Sequence, residues 1–204
     1  VLWDVTRRAI DRTRHIAVHA GAVALGGRGV IFPASMDSGK TTLTSALVRD
    51  GFDYLSDEAA LIDPATGLLH PFAKPLWMEA RTLNLLPGLA TSLPRGHLWM
   101  MKGNFHVAPD ELRPGAIGTP CRVACVIAPS YAPDSTTTLE PISKAEALML
   151  LAENSFNASS FGGDGFDALA GIAQGATCYR LTVGDLGAAV AAVRRAVVST
   201  SAQT

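Results

Sequence analysis

"PASMDSGKTTL", Pro33 to Leu43, is the stretch on which the reading of this chain turns. It matches the phosphate-loop pattern G-x-x-x-x-G-K-[ST] at every fixed position but the first, where Ala34 stands for glycine. "VIFPA" before it reads as a strand. "TTLTSALVRD" after it carries apolar residues at Leu43, Ala46 and Leu47, a helical spacing that Gly51 ends. In a strand–loop–helix context the backbone N–H groups of Ser35, Met36, Asp37, Ser38, Gly39, Lys40, Thr41 and Thr42 are expected to face phosphate oxygens. Lys40 would bridge the outer phosphates, and the Thr41 hydroxyl would complete a magnesium shell. Alanine at the rim costs little if the backbone there needs no positive φ. A bare Gly-Lys-Thr is common by chance, so the context carries the weight.

Two further features lie nearby. Asp57 and Glu58, in "SDE", end the apolar run "FDYL". Adjacent acids usually form a solvated turn. Behind a phosphate loop they suit phosphoryl transfer, where one carboxylate holds magnesium and the other accepts the proton of an attacking hydroxyl. His19 sits in "AVHAGAV" among small apolar residues. Such a histidine is more often a satisfied core residue than a catalyst. Strand alternation puts it on the face opposite Val18 and Ala20, and the sequence leaves open whether that face meets the loop.

The bulk properties set limits. The chain has 204 residues, 48% of them apolar, which suits one sizeable domain over residues 1–204, with a helical lead-in at 1–14 and a flexible tail at 199–204. Net charge is −1 with no long run of one sign, which argues against a general binder of nucleic acid or membrane surfaces. No apolar run is long enough for a bilayer span and no signal peptide is visible, so a cytoplasmic location is expected. Val1 is not an initiator methionine, and the sequence is read as trimmed or lacking an upstream segment. Cys121, Cys125 and Cys178 are an odd, sparse set that suits a reducing compartment and buried packing; no second ligand pair follows at zinc spacing.

Along the chain, "HIAVHAGAVAL", the turn "GGRG" and "VIFPA" read as a hairpin or meander leading into the loop. "FDYLSDEAALID" reads as one or two strands with the acids between them, and "PATG" as a turn. His70 to Pro120 is expected to be irregular, with short strands. Arg95, His97, Trp99 and Lys102 there are candidates for a peptide groove, though an exposed loop with no role has the larger share. "CRVACVIAP" is a buried strand. "SKAEALMLLAENSF" is a helix with Ser143 and Glu146 at capping-box spacing. "GFDALAGIAQG" is a helix and "CYRLTV" a strand. "DLGAAVAAVRRAVV" is the last helix, N-capped by Asp185, with Arg194 and Arg195 placed for its dipole.

Taken together, "HAGAVALGGRGVIFPASMDSGKTTLTSALVRDGFDYLSDE" resembles the catalytic domain of HPr kinase/phosphorylase and its smaller relatives. "PFAKPL", "AENSFN" and "CYRLTVGDL" extend the resemblance from about His15 to Arg195. It implies an α/β fold like that of phosphoenolpyruvate carboxykinase, not a doubly wound one, which would begin with strand, loop and helix directly. It implies ATP and Mg²⁺ as cofactors. His19 corresponds to an active-site histidine, Lys40 to the residue on the β-phosphate side, and Asp57 to the base toward the substrate hydroxyl. Thr41, Asp57 and Glu58 correspond to the metal site. Glu58 departs from the family's aspartate, and Glu79 with Arg81 is a weak stand-in for the segment that marks the true HPr kinases.

The expected activity is therefore phosphorylation of a serine or similar hydroxyl on a peptide or protein, with a lasso-peptide precursor as one acceptor the resemblance implies. A homo-oligomer is also expected by family likeness. Two alternatives stay open: a nucleotide-binding regulatory protein with little turnover, suggested by Ala34 and Glu58, and a small-molecule kinase.

Overall fold

The computed structural model describes residues 8–10, 12–34, 38–89 and 104–200. The architecture is mixed α/β. Among the described residues, eight strands form one sheet: β1 (Ile16–Leu25), β2 (Arg28–Pro33), β3 (Asp53–Ser56), β4 (Ala59–Ile62), β5 (Leu69–His70), β8 (Arg122–Tyr131), β9 (Thr138–Pro141) and β10 (Thr177–Val183). The spatial order is β5-β4-β1-β2-β8-β10-β9, with β3 also on β1. β6 (Leu76–Glu79) and β7 (Asn104–Val107) pair separately.

Strand β1 organises the sheet. Its second half pairs with β2 through the tight Gly26–Gly27 turn, where both glycines have positive φ. Its other edge meets β3 and β4 as one interrupted antiparallel run. Ala22 opposes Ser56 and His19 opposes Ala59 in a single register, so Asp57 and Glu58 form the break, opposite Gly21 and Ala20. The Ala20 N–H still reaches the Glu58 carbonyl at 3.2 Å. The first half of β1 extends beyond β2, and residues 154–157 cover that edge. The His19 N–H donates to the Asn154 carbonyl at 2.7 Å and the Ala17 N–H to Asn157 Oδ1 at 2.8 Å. Backbone groups in a buried strand need such partners.

Helices cover both faces. Helix α1 (Lys40–Arg49) and α6 (Leu186–Ser199) bury Leu43, Leu47, Val193 and Val197 against Val23, Val30 and Phe32. Helix α4 (Lys144–Glu153) and α5 (Gly162–Gly175) bury Leu151, Leu169 and Ile172 against Ile16, Val18, Ala20 and Ile31. β1 is thus buried on both faces, which is why its sequence is a near-continuous apolar run. Strands β2, β8 and β10 are parallel, so the loop after β2 opens at the carboxyl ends of all three.

Some expectations need correction. Helix α4 stops at Glu153, because residues 154–157 are drawn into backbone pairing with β1. Its capping box is half made: Ser143 Oγ accepts the Glu146 N–H at 3.1 Å, but the Glu146 carboxylate pairs with Arg180 on β10. Helix α6 runs on to Ser199, so Arg194 and Arg195 lie short of its last turn. Arg194 instead binds Asp50, just past α1, at 2.6 Å and lies over the Phe52 ring. Asp185 caps α6 as expected, accepting the Ala188 N–H at 2.7 Å. The region from His70 to Pro120 holds β6, β7 and two short helices, α2 (Ala80–Leu85) and α3 (Pro109–Leu112). Arg95, His97, Trp99 and Lys102 lie outside the described residues. Strand β9 was not expected. All three cysteines are buried thiols, as read from the sequence.

Gly21 holds α1 close to the sheet. A Cβ there would lie 2.6 Å from Oγ1 of the fully buried Thr44. Gly21→Ala is expected to destabilise the fold by roughly 1–3 kcal/mol. Adding Thr44→Ala, which removes the obstructing hydroxyl, should recover most of that loss in denaturant unfolding.

Candidate active site

The elements above bring one group of side chains together. Gly39, with φ of 84°, turns the chain from the loop into α1, a conformation that a residue with a Cβ adopts only at a cost. No side chain caps the first turn of α1 among the described residues, and no acid lies in that turn. Its amide groups and the positive end of the helix dipole therefore face the cavity. The Lys40 side chain is only 7% exposed. It curls back to donate to the Ala34 carbonyl at 2.6 Å, with Ser38 Oγ at 3.5 Å. Ser35, Met36 and Asp37 lie outside the described residues.

Within the first turn of α1, Thr41 Oγ1 donates to Asp57 Oδ2 at 3.1 Å. Asp57 is 8% exposed, and its Oδ1 has no hydrogen-bond partner among the described residues. Burial pushes its carboxyl pKa up to about 7, against the opposing pull of Lys74, the Thr41 hydroxyl and Lys40. Glu58 lines the same cavity and forms an ion pair with Lys74 at 2.8 Å. Thr42 Oγ1 shares a hydrogen bond of 3.0 Å with Thr82 and so ties α2 to the first turn of α1. His19 lines the same space, with its ring 5.5 Å from that of Phe156. Burial and the Lys40 charge hold its pKa below the usual imidazole value, so the ring is neutral at pH 7.

These residues line a cavity of about 1680 Å³. It contains His19, Ser38, Gly39, Lys40, Thr41, Thr42, Asp57 and Glu58, which the sequence singled out, and Glu79 and Arg81, which form an exposed ion pair of 2.6 Å with each other. The sequence reading missed Lys74, Thr82, Tyr131 and His106, which also line it. Lys74 had one signal, a lone cation within the extended "PFAKPL"; the others come from distant elements and had none.

The donor set can be tested for magnesium. A hydroxyl and two carboxylates are hard oxygen donors of the kind this ion takes. The Asp57 Oδ1 atom, buried without a partner, is the kind of orphan that a cation or a substrate proton satisfies. Thr41, Asp57 and Glu58 offer donors of the kind the ion takes, and the Glu58–Lys74 pair is a contact that competes with it.

Burial of Asp57 has a consequence for stability. The native carboxyl titrates near 7, above its ordinary 3.8, so between these values the native state holds a proton that the unfolded state has lost. That proton linkage weakens the fold as pH rises through this window. Asp57→Asn, which cannot ionise, is expected to be more stable than the parent by up to roughly 4 kcal/mol at pH 8, and by much less at pH 4. Melting temperatures of the two proteins across that range measure the difference.

A scan against protein-family models finds no match to this chain. No curated protein matches it either. Among solved structures it is similar to the Hpr(Ser) kinase/phosphatase from Coxiella burnetii, with 13% identity, a TM-score of 0.42, and coverage of 91% of this chain and 98% of that one. This likeness is distant.

Proposed function

We propose that the protein is a magnesium-dependent phosphotransferase that moves the γ-phosphoryl group of ATP to a serine or similar hydroxyl of a peptide or protein. The observation that carries this reading is the hydrogen bond from Thr41 to the buried Asp57, beside Lys40 and the uncapped first turn of α1, in one cavity. The first-turn amides and the Lys40 ammonium would bind the outer phosphates and offset charge on the transferring group. Magnesium, held by the Thr41 hydroxyl and the Asp57 and Glu58 carboxylates, would neutralise further phosphate charge.

Asp57 would take the proton of the acceptor hydroxyl as its oxygen bonds to the γ-phosphorus and the bond to ADP breaks. Burial raises the Asp57 pKa and so strengthens it as a base, while a cation bound beside it would pull that pKa down again. Neutral His19 can donate one hydrogen bond to a phosphoryl oxygen without adding charge. Lys74 would hold Glu58 in place and limit repulsion between the two acids. The resemblance of the sequence makes a lasso-peptide precursor the first acceptor to assay.

A second reading is nucleotide binding with little turnover, and the Glu58–Lys74 ion pair favours it, since a paired carboxylate is a poorer metal ligand. Transfer of labelled γ-phosphate to serine-containing precursor peptides, measured beside nucleotide binding, separates the two. Asp57→Asn is expected to lose transfer by roughly 10²–10⁴-fold and to keep nucleotide binding. Lys40→Ala should lose binding. Parent-like transfer by Asp57→Asn would remove Asp57 as the base. Tight nucleotide binding with no labelled acceptor would favour the second reading.

A further inference from the structure

A separate polar cluster lies at the N-terminal end of β1, beyond His19. His15 immediately precedes β1, Asp63 follows β4, and His70 ends β5. The strand registers explain why they meet. Ile16 opposes Ile62, so His15 comes opposite Asp63, while His70 opposes Leu61 in β4. Alternation along β1 and β4 then directs all three side chains to one face of the sheet. One ligand-type atom from each residue lies within 4.8 Å of the other two, and the two imidazole rings are 4.6 Å apart. The three residues are half-buried.

We propose that His15, Asp63 and His70 form a binding site for a divalent transition-metal ion of the zinc class. Two imidazoles and one carboxylate are the donor set such ions take, and imidazole nitrogen selects them over magnesium or calcium. The surroundings orient the ligands. Asp63 Oδ1 accepts the N–H groups of Ala65 and Thr66 at 2.8 and 3.1 Å, which fixes the carboxylate in the turn after β4. His15 Nδ1 lies 3.3 Å from Thr13 Oγ1. With Nδ1 donating to that hydroxyl, Nε2 carries the lone pair a metal requires. A tetrahedral zinc centre holds its ligand atoms roughly 3.3 Å apart. Half-exposed side chains can close that gap by rotation about χ1 and χ2.

The position suggests a structural task. Between this cluster and the candidate active site, Ile10, Ala17, Ala59, Leu61 and Phe72 form a small apolar cluster of their own. A metal joining His15 to Asp63 and His70 would fasten the chain entering β1 to the edge of the sheet. His70 also begins the extended segment that carries Lys74 to Glu58. The ion would therefore stabilise the support of the acidic pair without touching it.

Cobalt(II) is the probe for this site, added to the full chain, free of any affinity tag, after chelator treatment. One equivalent is expected to bind with visible d–d absorption, and zinc should displace it. His15→Gln and His70→Gln should each weaken binding at least roughly tenfold, whereas Asp57→Asn should leave it unchanged. Zinc should also raise the melting temperature of the parent, reversibly with chelator, and not that of His70→Gln. The variants are compared with the parent in chelator, where equal melting temperatures show an intact fold. No cobalt spectrum, binding that survives His70→Gln, or binding lost in Asp57→Asn would each overturn the proposal.

Discussion

The hydrogen bond between Thr41 and Asp57 joins the first turn of α1 to the break between β3 and β4, and the candidate site depends on it. It can form because Gly21, opposite Asp57 on β1, presents no side chain to α1. The helix then lies close enough for its first turn to reach the acid. The arrangement has a cost. Asp57 loses its water, and its pKa rises to about 7. Thr44 Oγ1, buried nearby, has no hydrogen-bond partner among the described residues. A buried carboxylate with one oxygen held and the other unbonded is unfavourable in a purely structural role. It is the kind of local strain expected where a ligand completes the site.

The sheet supplies the rest of the setting. Three parallel strands, β2, β8 and β10, end at the cavity, and ligands in open α/β sheets collect at such carboxyl ends. β1 crosses them as the antiparallel neighbour of β2 and brings His19 to the same end. Its hydrogen bonds are taken up on one edge by β2 and residues 154–157, and on the other by β3 and β4. The acidic pair sits in the gap between β3 and β4 along β1. Asp57 turns toward α1, and Glu58 turns toward Lys74.

Much of this was legible before the fold. The β1–β2 hairpin and α1 followed from turn glycines and helical spacing, and the strand break at Asp57–Glu58 from two acids inside an apolar run. Asp185 and Ser143 were readable as helix caps because capping is local chemistry. The face of His19 was predictable relative to Val18 and Ala20, which indeed lie in the core under α4 and α5. Lys74 was not legible as a partner of Glu58, because an ion pair across a loop leaves no periodic trace. The end of α4 was misplaced for a related reason: residues 154–157 pair with a strand far away in sequence, and that gain outweighs their local helical pattern.

What the amino-acid order determined alone was the set of local elements and the chemical kinds of residue available to a site: a lysine and hydroxyls at a helix start, two acids and a histidine. Each depends on short-range sterics, caps and periodicity, which act within a few residues. Only the tertiary structure decided which of them share a cavity, that Asp57 is buried and Glu58 paired, and that His15, Asp63 and His70 converge. Those outcomes depend on strand register and on how closely helix and sheet approach, and both are set by packing between segments distant in the chain.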